Sequence, residues 1–235
     1  LFLTDCVVTE MIGDISPGAF NSSPSELTKL DDYVYFRADN GVSGRELWRA
    51  NASGPTFWAN INPGGASSNP SEFTVFKDML YFRAATAAQG AELYRVDGLM
   101  MQQLGDIAPG GTSSNPSRLT PMGGHLYFTA EAPGSGRELW RTDGEKPVAD
   151  TQLFKDINPG GKGSRVSARE AIDGRLYFRA SDGVRGREPW RTDGVTVSEL
   201  GDINPGPDDS SPDDFTGFDG RVYFTASQDS NDNYE

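Results

Sequence analysis

The chain has 235 residues, with 21 Lys and Arg against 34 Asp and Glu, and a formal net charge of −13 at pH 7. That balance speaks against nucleic acid or an anionic membrane surface as a partner, because both carry charge of the same sign. A single Cys and a single His exclude zinc centres of the Cys/His kind, and no apolar run is long enough to span a bilayer.

In chain order, Leu1 to Cys6 is the second half of a motif that recurs whole at Gly44 to Ala52, Gly90 to Gly98, Gly136 to Gly144 and Gly186 to Gly194; Tyr234-Glu235 is its first half. The fullest copy reads Gly136-Arg137-Glu138-Leu139-Trp140-Arg141-Thr142-Asp143-Gly144. Its glutamates, Glu46, Glu92, Glu138, Glu188 and Glu235, stand 46, 46, 50 and 47 residues apart, and counting on from Glu235 through Leu1 to Glu46 gives 46 again. Its aromatic position holds Trp48, Tyr94, Trp140 and Trp190. Three further markers keep the same beat. An Asp-Ile-x-Pro-Gly turn begins at Asp14, at Asn60 in altered form, and at Asp106, Asp156 and Asp202. A Pro-Ser element follows at Ser23-Pro24-Ser25, Asn69 to Ser71, Asn115 to Ser117 and, more loosely, Ser211 to Asp213. A strand-forming triplet comes next at Val34-Tyr35-Phe36, Leu80 to Phe82, Leu126 to Phe128, Leu176 to Phe178 and Val222 to Phe224.

One repeat predicts four short antiparallel strands. Ser117 to Thr120 is extended and closes at Gly123-Gly124. His125 to Ala130 is rich in strand formers, Arg137 to Thr142 ends at the hairpin signal Asp143-Gly144, and Thr151 to Ile157 runs to Pro159-Gly160. No stretch has helical periodicity. If Ala38 and Arg45 flank the hairpin loop, Arg37 lies opposite Glu46, Phe36 opposite Leu47 and Tyr35 opposite Trp48. The Tyr–Trp face of one sheet would then cover the Leu–Phe face of the next, with Arg37, Arg83 and Arg179 as partners for the glutamates. A period of about 46 residues fits one propeller blade. The expectation is a single all-β domain over 1–235, a five-bladed β-propeller of four-stranded antiparallel blades. Its repeats span about 16–64, 65–110, 111–160, 161–206, and 207–235 with 1–15. The last is a closing blade shared by both termini, and the whole is part of a longer chain.

The Glu-Leu-Trp-Arg-Thr-Asp-Gly copies, with Gly124 to Phe128 and Asp156 to Gly160, resemble proteins carrying the ELWxxDGT repeat, often compared with hyalin-type repeats. The resemblance runs the full length, with local departures at Leu1-Phe2-Leu3, Pro189 and Ala50-Asn51-Ala52. It implies an extracellular or cell-surface module with a binding or structural role, and it supplies no catalytic residue.

The residues themselves carry little chemistry. His125 sits at a turn position held elsewhere by Tyr33, Met79, Arg175 and Arg221, so no Ser-His-Asp relay is expected and no catalytic residue is assigned. Paired carboxylates could cleave glycosides, but an acid repeated in every unit is more simply explained by the fold. Asp229, Asn231 and Asn233 place oxygen ligands at alternate positions, like the first half of a calcium loop, without its Gly and distal Glu. Asp208, Asp209, Asp213 and Asp214 form a second acidic group. No other cofactor is expected. Asn21 and Asn51 begin intact N-glycosylation sequons, whereas Asn69 and Asn115 are blocked by proline. Cys6 stands where other copies of the motif have glycine. The predicted function is therefore a non-catalytic extracellular structural or interaction module. Its expected partners are other protein chains, copies of itself or glycans, and it could be the repeating unit of a surface assembly or filament. The alternatives are a lectin with sites between blades, using aromatics such as Phe20, Phe57 and Trp58, and a glycoside-active propeller enzyme.

Overall fold

A computed structural model of the chain describes residues 1–18, 20–146 and 150–228. Among these there is no helix, and twenty strands form antiparallel sheets. Strands β1 (Phe2–Thr4) and β2 (Thr9–Met11) pair with each other. The first four-stranded sheet runs in chain order through β3 (Ser25–Leu30), β4 (Tyr33–Asp39), β5 (Arg45–Asn51) and β6 (Gly54–Ala59). The second holds β7 (Ser71–Phe76), β8 (Met79–Thr86), β9 (Gly90–Val96) and β10 (Met101–Gln103). The third holds β11 (Ser117–Met122), β12 (His125–Ala132), β13 (Gly136–Thr142) and β14 (Gln152–Lys155). The fourth holds β15 (Ser167–Ile172), β16 (Arg175–Ala180), β17 (Glu188–Thr192) and β18 (Val197–Glu199). Finally β19 (Asp213–Phe218) and β20 (Arg221–Thr225) pair alone. The four-strand repeat expected from the period is thus the structural unit. The 50-residue interval lies in the β13–β14 connection: Trp140 pairs with Leu153, thirteen residues on, whereas Trp48 pairs with Phe57 and Tyr94 with Gln103, nine on.

The register differs by one residue from the expectation. Asp39 pairs with Arg45, so the loop is Asn40 to Gly44, and Ala38 meets Glu46, Arg37 meets Leu47, Phe36 meets Trp48 and Tyr35 meets Arg49. Asp39 stays in the strand because its N–H reaches Ser22 O at 2.9 Å and its carboxylate accepts from Gly41 N at 2.7 Å. A slip of one residue exchanges faces. Phe36, Ala38, Glu46, Trp48 and Ala50 therefore share one face, and Tyr35, Arg37, Leu47 and Arg49 the other. Packing follows this corrected division.

The chain divides into two compact units, Leu1–Asn115 and Pro116–Glu235. In the first, Tyr35 and Leu47 of the first sheet pack on Leu80, Phe82, Ala84, Tyr94 and Val96 of the second. The opposite face of the first sheet is covered by Leu1, Ile12 and Ile15. In the second unit, Tyr127 and Leu139 lie on Leu176, Phe178 and Ala180, with Trp190 beside them. Phe36, Phe82, Phe128 and Phe178 are fully buried, and each contributes about 2–3 kcal/mol of hydrophobic burial.

Every first strand carries a bulge at the same place, where the register shifts between Ser25 and Thr28, Ser71 and Thr74, Ser117 and Thr120, Ser167 and Glu170, and Asp213 and Thr216. The bulged residues Glu26, Glu72, Arg118 and Asp214 have φ of 63°, 63°, 55° and 56°. A second left-handed residue precedes each bulge: Ser23, Asn69, Asn115, Arg165 and Ser211. The Pro-Ser marker of the sequence is the signature of this double bend.

Among the described residues the five four-stranded blades expected are four, with two further sheets of two strands each. β1–β2 and β19–β20 are separate two-stranded sheets. In each complete sheet the central pairing is made by a third strand of five to seven residues, whereas β1 has three. The remaining part of that copy of the motif, Tyr234-Glu235, lies outside the described residues.

Candidate functional site

The repeated glutamate is a carboxylic acid that each complete sheet places in the same setting. Glu46, Glu92, Glu138 and Glu188 are fully buried. Glu46 accepts from Ile61 N at 2.8 Å, Ser68 N at 2.8 Å and Ser68 Oγ at 2.6 Å. Glu92 takes Ile107 N at 3.1 Å, Ser114 N at 3.0 Å and Ser114 Oγ at 2.6 Å. Glu138 takes Ile157 N at 3.0 Å, Asn158 N at 3.4 Å and Ser164 Oγ at 2.6 Å. Glu188 takes Ile203 N at 2.8 Å, Ser210 N at 3.2 Å and Ser210 Oγ at 2.7 Å. Each carboxylate thus ties the third strand of its sheet to the Ile of the following turn and to a serine leading into the next repeat. Burial pushes the Glu46, Glu92 and Glu138 carboxyls above the ordinary 4.5, against the lowering effect of these donors. Glu235 lies outside the described residues.

The expected arginine partners do other work. Arg37 Nε donates to Ser25 Oγ at 2.7 Å, Arg83 Nε to Ser71 Oγ at 3.2 Å and Arg179 Nε to Ser167 Oγ at 2.7 Å. In the third repeat Thr129 Oγ1 meets Ser117 Oγ at 3.0 Å instead. The one-residue register difference is the cause, since it puts Arg and Glu on opposite faces. The tether serines Ser68, Ser114, Ser164 and Ser210 were not singled out from the sequence. Their signal is present, as a serine two residues before Pro70, Pro116, Val166 and Pro212.

In the first and third repeats the motif arginine reaches into the next repeat, whereas Arg95 bonds Gln102 of its own. Arg49 Nη1 donates to Gly98 O at 3.4 Å, and its guanidinium lies 4.0 Å from the Tyr33 ring and 3.9 Å from the Trp58 ring. Arg141 Nη1 donates to Gly194 O at 2.8 Å and covers Phe154 at 4.5 Å. Trp58 also meets Tyr35 edge-on, and Phe57 meets Trp48 in the same way. Of the three aromatics considered as sugar platforms, Trp58 is half-buried and packed, while Phe57 and Phe20 are exposed. Trp48 and Tyr94 are buried; Trp140 and Trp190 are half-buried, and Trp190 Nε1 donates to Ala180 O at 3.0 Å.

The remaining candidates separate. Asp229, Asn231 and Asn233 lie outside the described residues. Among the described residues no three His, Cys, Asp or Glu side chains gather as a metal site would require. Asp209 binds Arg187 Nε at 2.8 Å. Burial opposes its ionisation, yet the Arg187 backbone and side chain and the nearby Arg165 hold it below the ordinary value. Asp213 meets Arg179 at 3.3 Å. Asn21 is exposed and Asn51 half-buried; each caps its own turn, accepting from Ser23 N and Ser53 N at 2.9 Å. His125 opens β12 half-buried, 6.2 Å from the Tyr127 ring, rather than exposed in a turn. Cys6 is a free, exposed thiol. An open recess of about 350 Å³ along the first strands of the second unit is lined by Arg118, Arg169, Glu170, Asp213, Asp214 and Phe215. It is crossed by Arg169, whose Nη2 donates to Ser117 O at 2.8 Å.

These features define an all-β repeat protein of blade-like, four-stranded antiparallel sheets, stacked face to face within each unit. No protein-family model and no curated protein matches the chain. Among solved structures, it is similar to the Bacteroides ovatus xyloglucan PUL GH43B (15% identity, 80% of this chain and 42% of that one, TM-score 0.39). It is similar also to the Trypanosoma rangeli sialidase (14%, 86% and 41%, 0.40) and to the Aleuria aurantia lectin (12%, 86% and 72%, 0.38). The chain spans less than half the length of the first two. Likeness at this level assigns no activity.

Proposed function

We propose that the protein is a non-catalytic interaction scaffold, a propeller-type module that presents surfaces to other chains outside the cell. The observation that carries this reading is the state of the repeated glutamates. The acid that recurs at one position of every complete sheet is buried and held by three donors from turn and linker backbone and serine. A glycosidase needs two carboxyl groups at a reachable substrate, one of them free to exchange a proton, and these four are spent on holding repeats together. The lectin reading loses support because Trp58 is covered by the Arg49 guanidinium and packed against Tyr35. An extracellular setting accords with the repeat resemblance and with the two sequons, Asn21 and Asn51, on surface turns.

The test is a glycan array together with polysaccharide turnover on the purified protein. A scaffold shows neither saturable sugar binding nor hydrolysis. Turnover lost on changing Glu170 or Asp214 in the recess would replace this reading with an enzyme. Binding of several sugars per chain would replace it with a lectin.

A further inference from the structure

Three of the complete sheets frame one place in the same way and furnish it differently. Where the second strand ends and the third begins, the linker entering the repeat lies on one side and the linker leaving it on the other. In the first sheet Asp39 N donates to Ser22 O at 2.9 Å and Asn69 N to Arg45 O at 3.2 Å. In the second, Ala85 N donates to Ser68 O at 2.9 Å and Asn115 N to Ala91 O at 3.0 Å. In the fourth, Ser181 N donates to Ser164 O at 2.8 Å and Ser211 N to Arg187 O at 3.1 Å. The cross-strand pair at this place is Asp39 with Arg45 in the first sheet and Glu131 with Arg137 in the third. In the second it is Ala85 with Ala91. Both side chains are cut back to methyl groups together, and a recess of about 180 Å³ opens beside Ser68, Asn69, Arg83, Ala85, Ala91 and Asn115. All six belong to the first unit.

Arg83 supplies the charge. Its Nε donates to Ser71 Oγ at 3.2 Å, the one hydrogen bond of its side chain among the described residues. Its counterparts are engaged further. Arg37 Nη1 donates to Pro70 O at 3.4 Å, and Arg179 Nη1 reaches Pro212 O at 3.5 Å and the Asp213 carboxylate at 3.3 Å. The fourth sheet thus already sets a carboxylate on this arginine position. There Arg187, at the position of Ala91, bonds Asp209 at 2.8 Å and Ser211 at 3.2 Å; the second sheet has only a methyl group.

We propose that this recess binds a small organic carboxylate, with Arg83 donating to its oxygens and the Ala85 and Ala91 methyls lying against a short aliphatic stem. A guanidinium offers two parallel N–H groups that match a carboxylate. One cation suits one negative charge, whereas a phosphate dianion would face the chain's −13 with a single arginine to offset it. At roughly 30 Å³ for each water-sized group, the space holds about six non-hydrogen atoms, the size of propionate or butyrate. The site goes beyond the scaffold reading and does not depend on it.

The experiment titrates the full chain, labelled with nitrogen-15, with sodium propionate against sodium chloride at matched ionic strength. The amide resonances of Ser68, Ala85 and Ala91 shift saturably with a Kd of about 1–10 mM. The uncharged n-propanol leaves them in place at the same concentrations. Arg83→Met abolishes the response, and Arg83→Lys weakens it about tenfold because an ammonium cannot make the paired contact. Ala85→Asp combined with Ala91→Arg rebuilds the pair of the first sheet and abolishes it too. Should Arg83→Met fail to fold by circular dichroism, the double variant decides alone, since it adds only side chains that the first sheet already carries. Saturable shifts that persist in the folded variants would overturn the proposal. So would equal shifts with chloride or n-propanol, tighter binding of inorganic phosphate, or no saturation by propionate below about 50 mM. Glycan turnover would sink the scaffold reading and leave this site untouched, whereas a failed titration sinks only the site.

Discussion

Glu92 shows how one side chain organises a repeat. Its carboxylate meets two backbone N–H groups and one hydroxyl, with no water-facing surface. Glutamine keeps the shape but turns an NH2 group toward donors, leaving a buried N–H unmet at about 1–3 kcal/mol. Glu92→Gln is expected to lose about 2 kcal/mol at neutral pH, measured by urea unfolding. The pH dependence has a definite sign. Burial raises this carboxyl above its ordinary 4.5 in the fold, so the folded state binds the proton more tightly than the unfolded chain. The stability linked to that proton is fully present below pH 4.5 and is lost as pH rises through the folded value. The wild-type advantage over Glu92→Gln should therefore shrink on going from pH 4.5 to neutrality. An advantage that grows instead would mean that the donors outweigh burial. Cys6 poses the opposite case, a side chain where none is needed. It has φ 74°, in a turn where Gly98, Gly144 and Gly194 have 89°, 78° and 92°. The left-handed cost of about 1–2 kcal/mol exceeds the entropy that glycine gives back. Cys6→Gly is expected to stabilise by up to about 1 kcal/mol, read as a raised Tm.

At the scale of strands and turns, the motif glycine records an approach that sequence alone does not show. A Cβ on Gly90 would lie 2.4 Å from Thr112 O, and one on Gly136 would lie 2.5 Å from Gly163 N. The linker into the next repeat crosses the start of each third strand at backbone contact. Gly90→Ala has no room and an unfavourable φ of 67°, so a loss of about 3 kcal/mol or more is expected, with hydrogen exchange accelerating first around Leu104 to Asn115. The four-strand repeat was legible because its markers recur in phase, and turn glycines and strand triplets fall where the structure has turns and strands. The pairing within the second hairpin was not. Whether Ala38 or Asp39 ends a strand depends on the contacts Asp39 makes with Ser22 and Gly41, and nothing in the spacing of apolar residues records them. From that single residue follow the wrong partner for Glu46 and the wrong face for Trp48. The tether serines were visible as a period, but a lone serine carries no sign of burial. The Pro-Ser marker was visible as well, yet its meaning as a left-handed bend and bulge comes only from the backbone angles.

Over the whole molecule, net charge bears on any meeting of copies. Each chain carries −13, so copies repel at long range. At about 10 mM salt the screening length is roughly 30 Å and the full charge of each copy is felt; at about 0.5 M it falls to a few ångströms. Salt thus removes a repulsion summed over thirteen charges and leaves any apolar contact between copies intact or stronger. Self-association should therefore tighten as sodium chloride rises across that range, seen as a shift to heavier species in sedimentation at fixed protein concentration. Dissociation by salt would show that ion pairs between copies outweigh this repulsion.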